Sequence, residues 1–182
     1  MLQRRRLLLL LSAAGCAQRP REPSEAAAAP LPAGISCVPF ARALSGIALA
    51  GDAHLWWHAA ARRYRRDTVP VPGAVLVFRR SARLPQGHLA VVVRTVGPRE
   101  IRVTHANWAS GSARGQVAED QSVVDVSPRN DWSSVRVWHP ASGTLGVTVF
   151  PAWGFILPPR PADPAELAAR VPVAARLAAG TL

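Results

Sequence analysis

Lysine is absent from this 182-residue chain, methionine and tyrosine occur once each, and there are only two cysteines and 11 acidic residues. Two cysteines cannot build the disulfide framework of a small secreted scaffold. Long apolar runs are also missing: the longest leucine run, residues 7–11, is far below the ~20 residues that a helix needs to cross ~30 Å of hydrocarbon, so no permanent transmembrane anchor is expected. The scarcity of acids against 22 basic residues, every one an arginine, leaves a net charge of +11. Such a charge suits an acidic partner, whether nucleic acid, anionic lipid headgroups or an acidic wall polymer. No helix-turn-helix, zinc-finger or aromatic RNA-binding signature accompanies it, so nucleic acid is not expected. Exclusive use of arginine beside abundant alanine matches GC-rich coding, and single arginines are not read as functional choices.

What is present suffices for a fold. A hydrophobic fraction of 49% and a charged fraction of 18% describe a packed globule rather than a disordered chain. The length is that of one ordinary domain with short extras, and a monomer is expected. Residues 1–16, MLQRRRLLLLLSAAGC, have the outline of a secretory signal: three arginines, a short apolar core, then small residues. The ending Ala13-Ala14-Gly15-Cys16 resembles a bacterial lipobox, which would make Cys16 a lipid anchor; ordinary cleavage nearby or a retained signal are the other readings. Residues 17–34 are Pro- and Ala-rich and read as a linker. With Cys16 lipidated or removed, Cys37 is a lone thiol, and a lone cysteine is more often a small buried hydrophobe than a reactive group.

Residues 35–46, ISCVPFARALSG, predict a helix with Ser36 as N-cap, Cys37 as first helical residue and Gly46 as the stop. Pro39 falls where its missing N–H costs nothing, and Phe40, Ala41 and Leu44 form the apolar stripe. A second helix is expected from Asp52 as N-cap through residues 53–66, with His54 and His58 four apart. That spacing can hold a metal, but no further ligands lie at matching distance, and no metal is expected. Pro70, Pro72 and Gly73 then end helical texture, and five short strands are predicted at 74–78, 88–93, 100–105, 122–126 and 135–138. The expected fold class is α+β: N-terminal helices packed on an antiparallel sheet of about five short strands, over residues 35–150. Residues 151–182 read as a Pro/Ala-rich tail, either a short helix or mostly flexible.

A nucleophilic cysteine needs a depressed pKa, a base within reach and a group that orients the base. The first turn of a helix presents free N–H groups and a positive dipole end, so Cys37 is expected to lean toward thiolate, and the same N–H groups could hold an oxyanion. His88, after Gly87 at the start of a strand, is the candidate base. His105 and Asn107, two apart in a later strand, are the candidates for orienting it. Any one of these residues alone is more often structural than catalytic. Their order, a helix-borne cysteine followed by strand-borne histidine and asparagine, is that of papain-type enzymes.

The blocks SCVPFAR at 36–42, PGAVLVF at 72–78, GHLAVVV at 87–93 and VTHANW at 103–108 resemble the cysteine, histidine-dependent amidohydrolase/peptidase (CHAP) domains. The resemblance implies a papain-like fold with Cys37 as nucleophile and His88 as general base. Many members carry Glu-x-Asn in the last block; here His105 stands at the Glu position and Asn107 is kept, so either one could orient His88. It further implies hydrolysis of an amide bond of peptidoglycan, as an N-acetylmuramoyl-L-alanine amidase or an endopeptidase, without metal or organic cofactor; the secretory outline of residues 1–16 fits such a substrate and leads to the expectation of an exported protein in the bacterial periplasm or cell envelope. Trp108 would line the cleft or join the core. Two alternatives remain: a non-catalytic module that binds peptidoglycan or a protein on the same fold, and a cysteine amidase or transamidase acting on another substrate.

Overall fold

The computed structural model describes residues 30–108, 114–140 and 142–181. The leader at 1–16, the lipid-anchor candidate Cys16 and most of the 17–34 linker lie outside the described residues. The chain forms α1 (Cys37–Ser45), a 3-10 turn (Ala53–Leu55) continuing into α2 (Trp56–Ala59), then β1 (Arg66–Asp67), β2 (Val75–Phe78), β3 (His88–Gly97), β4 (Glu100–Ala106), β5 (Val117–Asp125), β6 (Ser134–His139), β7 (Thr144–Leu145), β8 (Phe150–Ile156) and α3 (Pro164–Ala179).

The expected papain-like α+β layer of helices on an open five-stranded sheet is not what forms. β8, β2, β3, β4, β5 and β6 pair in that order, all antiparallel, and β6 returns to β8 through Ser134↔Pro151 and Val135↔Phe150. Among the described residues the result is a closed six-stranded barrel, mostly strand, with three α-helices. Closure removes the exposed edges that an open sheet would present. β8 makes it possible because its second edge is shared: its start pairs with β6, and its end pairs with β1 through Arg66↔Ile156 and Asp67↔Phe155.

Period-2 alternation sorts the side chains. Ala74, Leu76 and Phe78 point into the barrel, where they meet Ala90, Val92, Ile101, Val103, Val135, Val137 and Phe155. Val75 and Val77 point outward beneath the helices, with Leu89 and Val91, against Phe40, Leu44, Trp56, Leu167 and Val171. Both faces of β2 are therefore buried, which is why its sequence is a continuous apolar run.

α1 lies between Ser36 and Gly46; Gly46 is left-handed at φ 76° and its N–H reaches Arg42 O at 3.0 Å, while the Ser36 hydroxyl makes no capping bond. The second helix is much shorter than its sequence implies. The chain leaves it at Arg62, which is left-handed at φ 68°, and Arg66 joins β1 instead. Tertiary contacts override helix propensity here: Trp57 stacks on Trp153 of β8 at 6.1 Å, with Arg66 5.0 Å from the Trp57 ring and Arg79 4.2 Å from the Trp153 ring. The supposed tail 151–182 holds most of β8 and all of α3. Asp163 caps α3 by accepting from the N–H groups of Ala165 and Glu166, and Leu167, Val171, Ala174 and Ala175 bury against α1 and its surroundings.

Candidate active site

A cleft opens at the start of β3, lined by Gly51 to Ala53, by the loop Arg83 to Gly87, by Asn107, Trp108 and Arg114, and by residues of the β6–β8 region such as His139 and Phe150. It is open, has a volume of about 1210 Å³, and holds Cys37 and His88 in its lining. That volume exceeds the ~300–1,000 Å³ of ordinary small-molecule pockets and can take a segment of polymer.

Gly87 places His88. At φ 72° it turns the chain into β3, and a Cβ there would sit 2.7 Å from Phe78 O and 2.9 Å from His54 N. Only glycine fits so close to two backbones in a left-handed conformation. His88 then points into the mouth of the barrel on the same face as Ala90 and Val92, and His105 lies on the same face as Ile101 and Val103. The pairing Val91↔Thr104 puts His105 diagonally across from His88. Their rings meet, with His88 Nε2 3.0 Å from His105 Nδ1.

Both imidazoles are nearly inaccessible, at 3% and 0% exposure. Burial, and secondarily the facing His105, hold His88 well below its ordinary 6.5, and burial lowers His105 to about 3. Among the described residues no carboxylate contributes to offset this. The Nε2 of His105 is buried without a protein hydrogen-bond partner.

Cys37 occupies the first position of α1 and is half-buried. The expectation of a thiolate-leaning cysteine is corrected. Burial raises its thiol above the ordinary 9.0, although the backbone N–H groups of Leu89, Cys37 and Val38 all face the sulfur and pull the other way. The Leu89 contact brings the sulfur to the residue that follows His88. At neutral pH the cysteine and both histidines are therefore uncharged.

Asn107 is not hydrogen-bonded to either histidine. It leaves β4 in a left-handed conformation, φ 61°, with its N–H donating to Gln116 O at 2.9 Å and its Oδ1 accepting from Gly115 N at 2.9 Å. Asn107 thus clasps the two ends of the loop that begins with Trp108. His54 and His58 lie apart from the histidine pair: His54 Nδ1 is 3.2 Å from Gln86 O, and His58 packs edge-on against Trp153. Among the described residues no group of three or more His, Cys, Asp or Glu side chains is arranged to hold a metal ion. Sequence reasoning did not single out Arg83, Arg114 or His139 and gave Asp52 only a helix-capping role, yet all four share the cleft lining. Only the fold brings these four distant segments together.

The barrel mouth thus brings a histidine pair and a helix-borne cysteine to one cleft, the residue types that nucleophilic cysteine chemistry uses. Residues 27–107 match the family model of the CHAP domain, in line with the four sequence blocks. Domains of this family are generally peptidoglycan hydrolases. No curated protein matches the chain.

Proposed function

We propose that the protein hydrolyses an amide bond of peptidoglycan, as a muramoyl-alanine amidase or an endopeptidase, with Cys37 as nucleophile, His88 as general base and His105 as its orienting partner. The single observation that carries this reading is the 3.0 Å contact between His88 Nε2 and His105 Nδ1 in the cleft that Cys37 lines. If Nε2–H of His88 donates to His105, the Nδ1 lone pair of His88 is left for the thiol. His105 then carries its own proton on Nε2.

In this mechanism the reaction starts from neutral groups. As Cys37 Sγ attacks the amide carbonyl, the thiol proton passes to His88 Nδ1. The backbone N–H groups of Cys37, Val38 and Leu89, aimed at the sulfur, are the donors available to the oxyanion. His88 returns the proton to the leaving amine as the C–N bond breaks, which leaves a thioester on Cys37. Water, deprotonated by His88, then attacks the thioester and releases a carboxylic acid and the free thiol. Arg83 and Arg114 in the cleft lining suit the carboxylates of a stem peptide. Export through the 1–16 leader to the periplasm or envelope, with or without a lipid on Cys16, belongs to the same proposal.

The test is digestion of isolated peptidoglycan by the full chain in 18-oxygen water, with fragments read by mass spectrometry. Hydrolysis gives one heavy oxygen in each new carboxyl, and the fragment masses name the bond. Soluble products without label would mean transfer to an amine, and no products at all would remove the hydrolase reading.

A further inference from the structure

Trp108 lies one residue beyond the family match and is not explained by the nucleophile, the base or the orienting histidine. Its indole touches both members of the pair: the ring centroid is 5.3 Å from His105 in a stacked arrangement at 28°, and 4.8 Å from His88, tilted at 58°. Phe150 at 5.0 Å and Phe78 at 5.4 Å complete an aromatic frame around it. Trp108 is half-buried and lines the cleft, so one side of the ring meets solvent while the other covers the histidines. The clasp made by Asn107 on Gly115 and Gln116 holds this part of the chain over the barrel mouth.

We infer that Trp108 is a positioning residue: it seals the His88–His105 hydrogen bond from water and fixes the plane of the His105 ring so that Nδ1 stays aimed at His88. A hydrogen bond between two neutral imidazoles is weak competition for water, and a diverted His105 would free His88 to turn its wrong nitrogen to the thiol. The flat indole excludes water from that bond. The indole centroid, 4.8 Å from the His88 ring, is also within cation–π range of the positive charge that His88 carries during the reaction. The groups around His88 are His105 from β4, in hydrogen-bond contact, and Cys37 from α1, with Asp52, Arg83, Arg114 and His139 elsewhere in the cleft lining. This inference rests on the reading of His88 as base.

The test uses full-length protein labelled with 15-nitrogen histidine. Each imidazole is titrated by NMR, and peptidoglycan kinetics are measured in parallel for wild type, Trp108→Ala and Trp108→Phe. In Trp108→Ala, water enters: the His88 titration is expected to move up by about one unit as burial is relieved, and kcat to fall about tenfold or more because the His88 tautomer and ring orientation are no longer held, while KM changes little. Trp108→Phe keeps a ring over His105 and is expected to hold the wild-type titration and most of kcat. An unchanged His88 titration in Trp108→Ala overturns the inference, and so do equal shifts in both variants, which would mean that Trp108 is only packing. Failure of the hydrolase reading shows separately, as wild type releasing no fragments, and the NMR titrations still decide the role of Trp108.

Discussion

His88 and His105 meet nitrogen to nitrogen, 3.0 Å apart, inside the mouth of a closed barrel. One ring must donate and the other accept, so the contact selects a tautomer for each. In the productive arrangement His88 donates from Nε2, and His105 serves as acceptor through Nδ1. His88→Ala is expected to lower kcat by about 10²–10⁴-fold, the usual worth of a positioned general base, with the unfolding midpoint little changed. A variant that keeps more than half of wild-type kcat would remove His88 from the mechanism.

The two candidates for the orienting role make different predictions. His105→Ala leaves His88 free to take the wrong tautomer, so kcat should fall steeply with little effect on KM. Asn107→Ala removes the bond to Gly115 and leaves the histidine pair intact; its expected cost is about 1 kcal/mol of stability, with a modest loss of activity through the Trp108 loop. Steady-state kinetics and urea unfolding of both variants separate them, and a larger kcat loss for Asn107→Ala would reverse the assignment.

Folding should be weakened by acid in a defined window. Both histidines have folded pKa values below their unfolded 6.5, so the unfolded chain binds protons that the folded one refuses. Stability is therefore full above about pH 6.5 and falls as pH drops toward about 3, by up to about 1.4 kcal/mol per pH unit for each histidine. Urea midpoints at pH 7.5, 5.5 and 4.5 test this, and His105→Gln should flatten the dependence. Activity, which needs neutral His88, should likewise persist below pH 6.5. It should decline only above 9, where the raised thiol of Cys37 begins to lose its proton.

Gly87→Ala should damage site and fold together. Its Cβ would lie 2.7 Å from Phe78 O, in a left-handed backbone that itself costs a non-glycine residue about 1–2 kcal/mol. Thermal unfolding and peptidoglycan release should both drop, and a variant with wild-type activity would show that the approach to Phe78 is not needed to place His88.

Barrel closure is tested at Phe155, which fills the lumen against Trp132 at a centroid distance of 5.3 Å. Phe155→Ala should cost about 3–5 kcal/mol, measured by denaturant unfolding. A loss comparable with that of an exposed valine such as Val147 would mean that β8 is not part of the cooperative core.

Much of the site was legible because its elements carry local signals. Pro39 and Gly46 frame a helix that starts at Cys37, and Gly87 announces a turn into an apolar strand beginning with His88. The barrel was not legible, because the strand that closes it, β8, contains Pro151 and Gly154 and so reads as loop. Pro151 is tolerated where β8 begins, its carbonyl accepting from Arg79 N at 2.8 Å, and Gly154 is required because a Cβ there would lie 2.7 Å from Asp67 O. α2 was overestimated because pairing of Arg66 with Ile156 outweighs local helix propensity. The thiol of Cys37 was misjudged for a related reason. Sequence shows the helix dipole that would favour thiolate, but not the burial that opposes it.

The measurement closest to the central claim is release of soluble fragments from isolated peptidoglycan by wild type, Cys37→Ala and His88→Ala side by side, each first shown to be folded by circular dichroism. The account predicts fragments with new amide-derived ends from wild type, none above background from Cys37→Ala, and a trace from His88→Ala. Equal release by wild type and Cys37→Ala would contradict it.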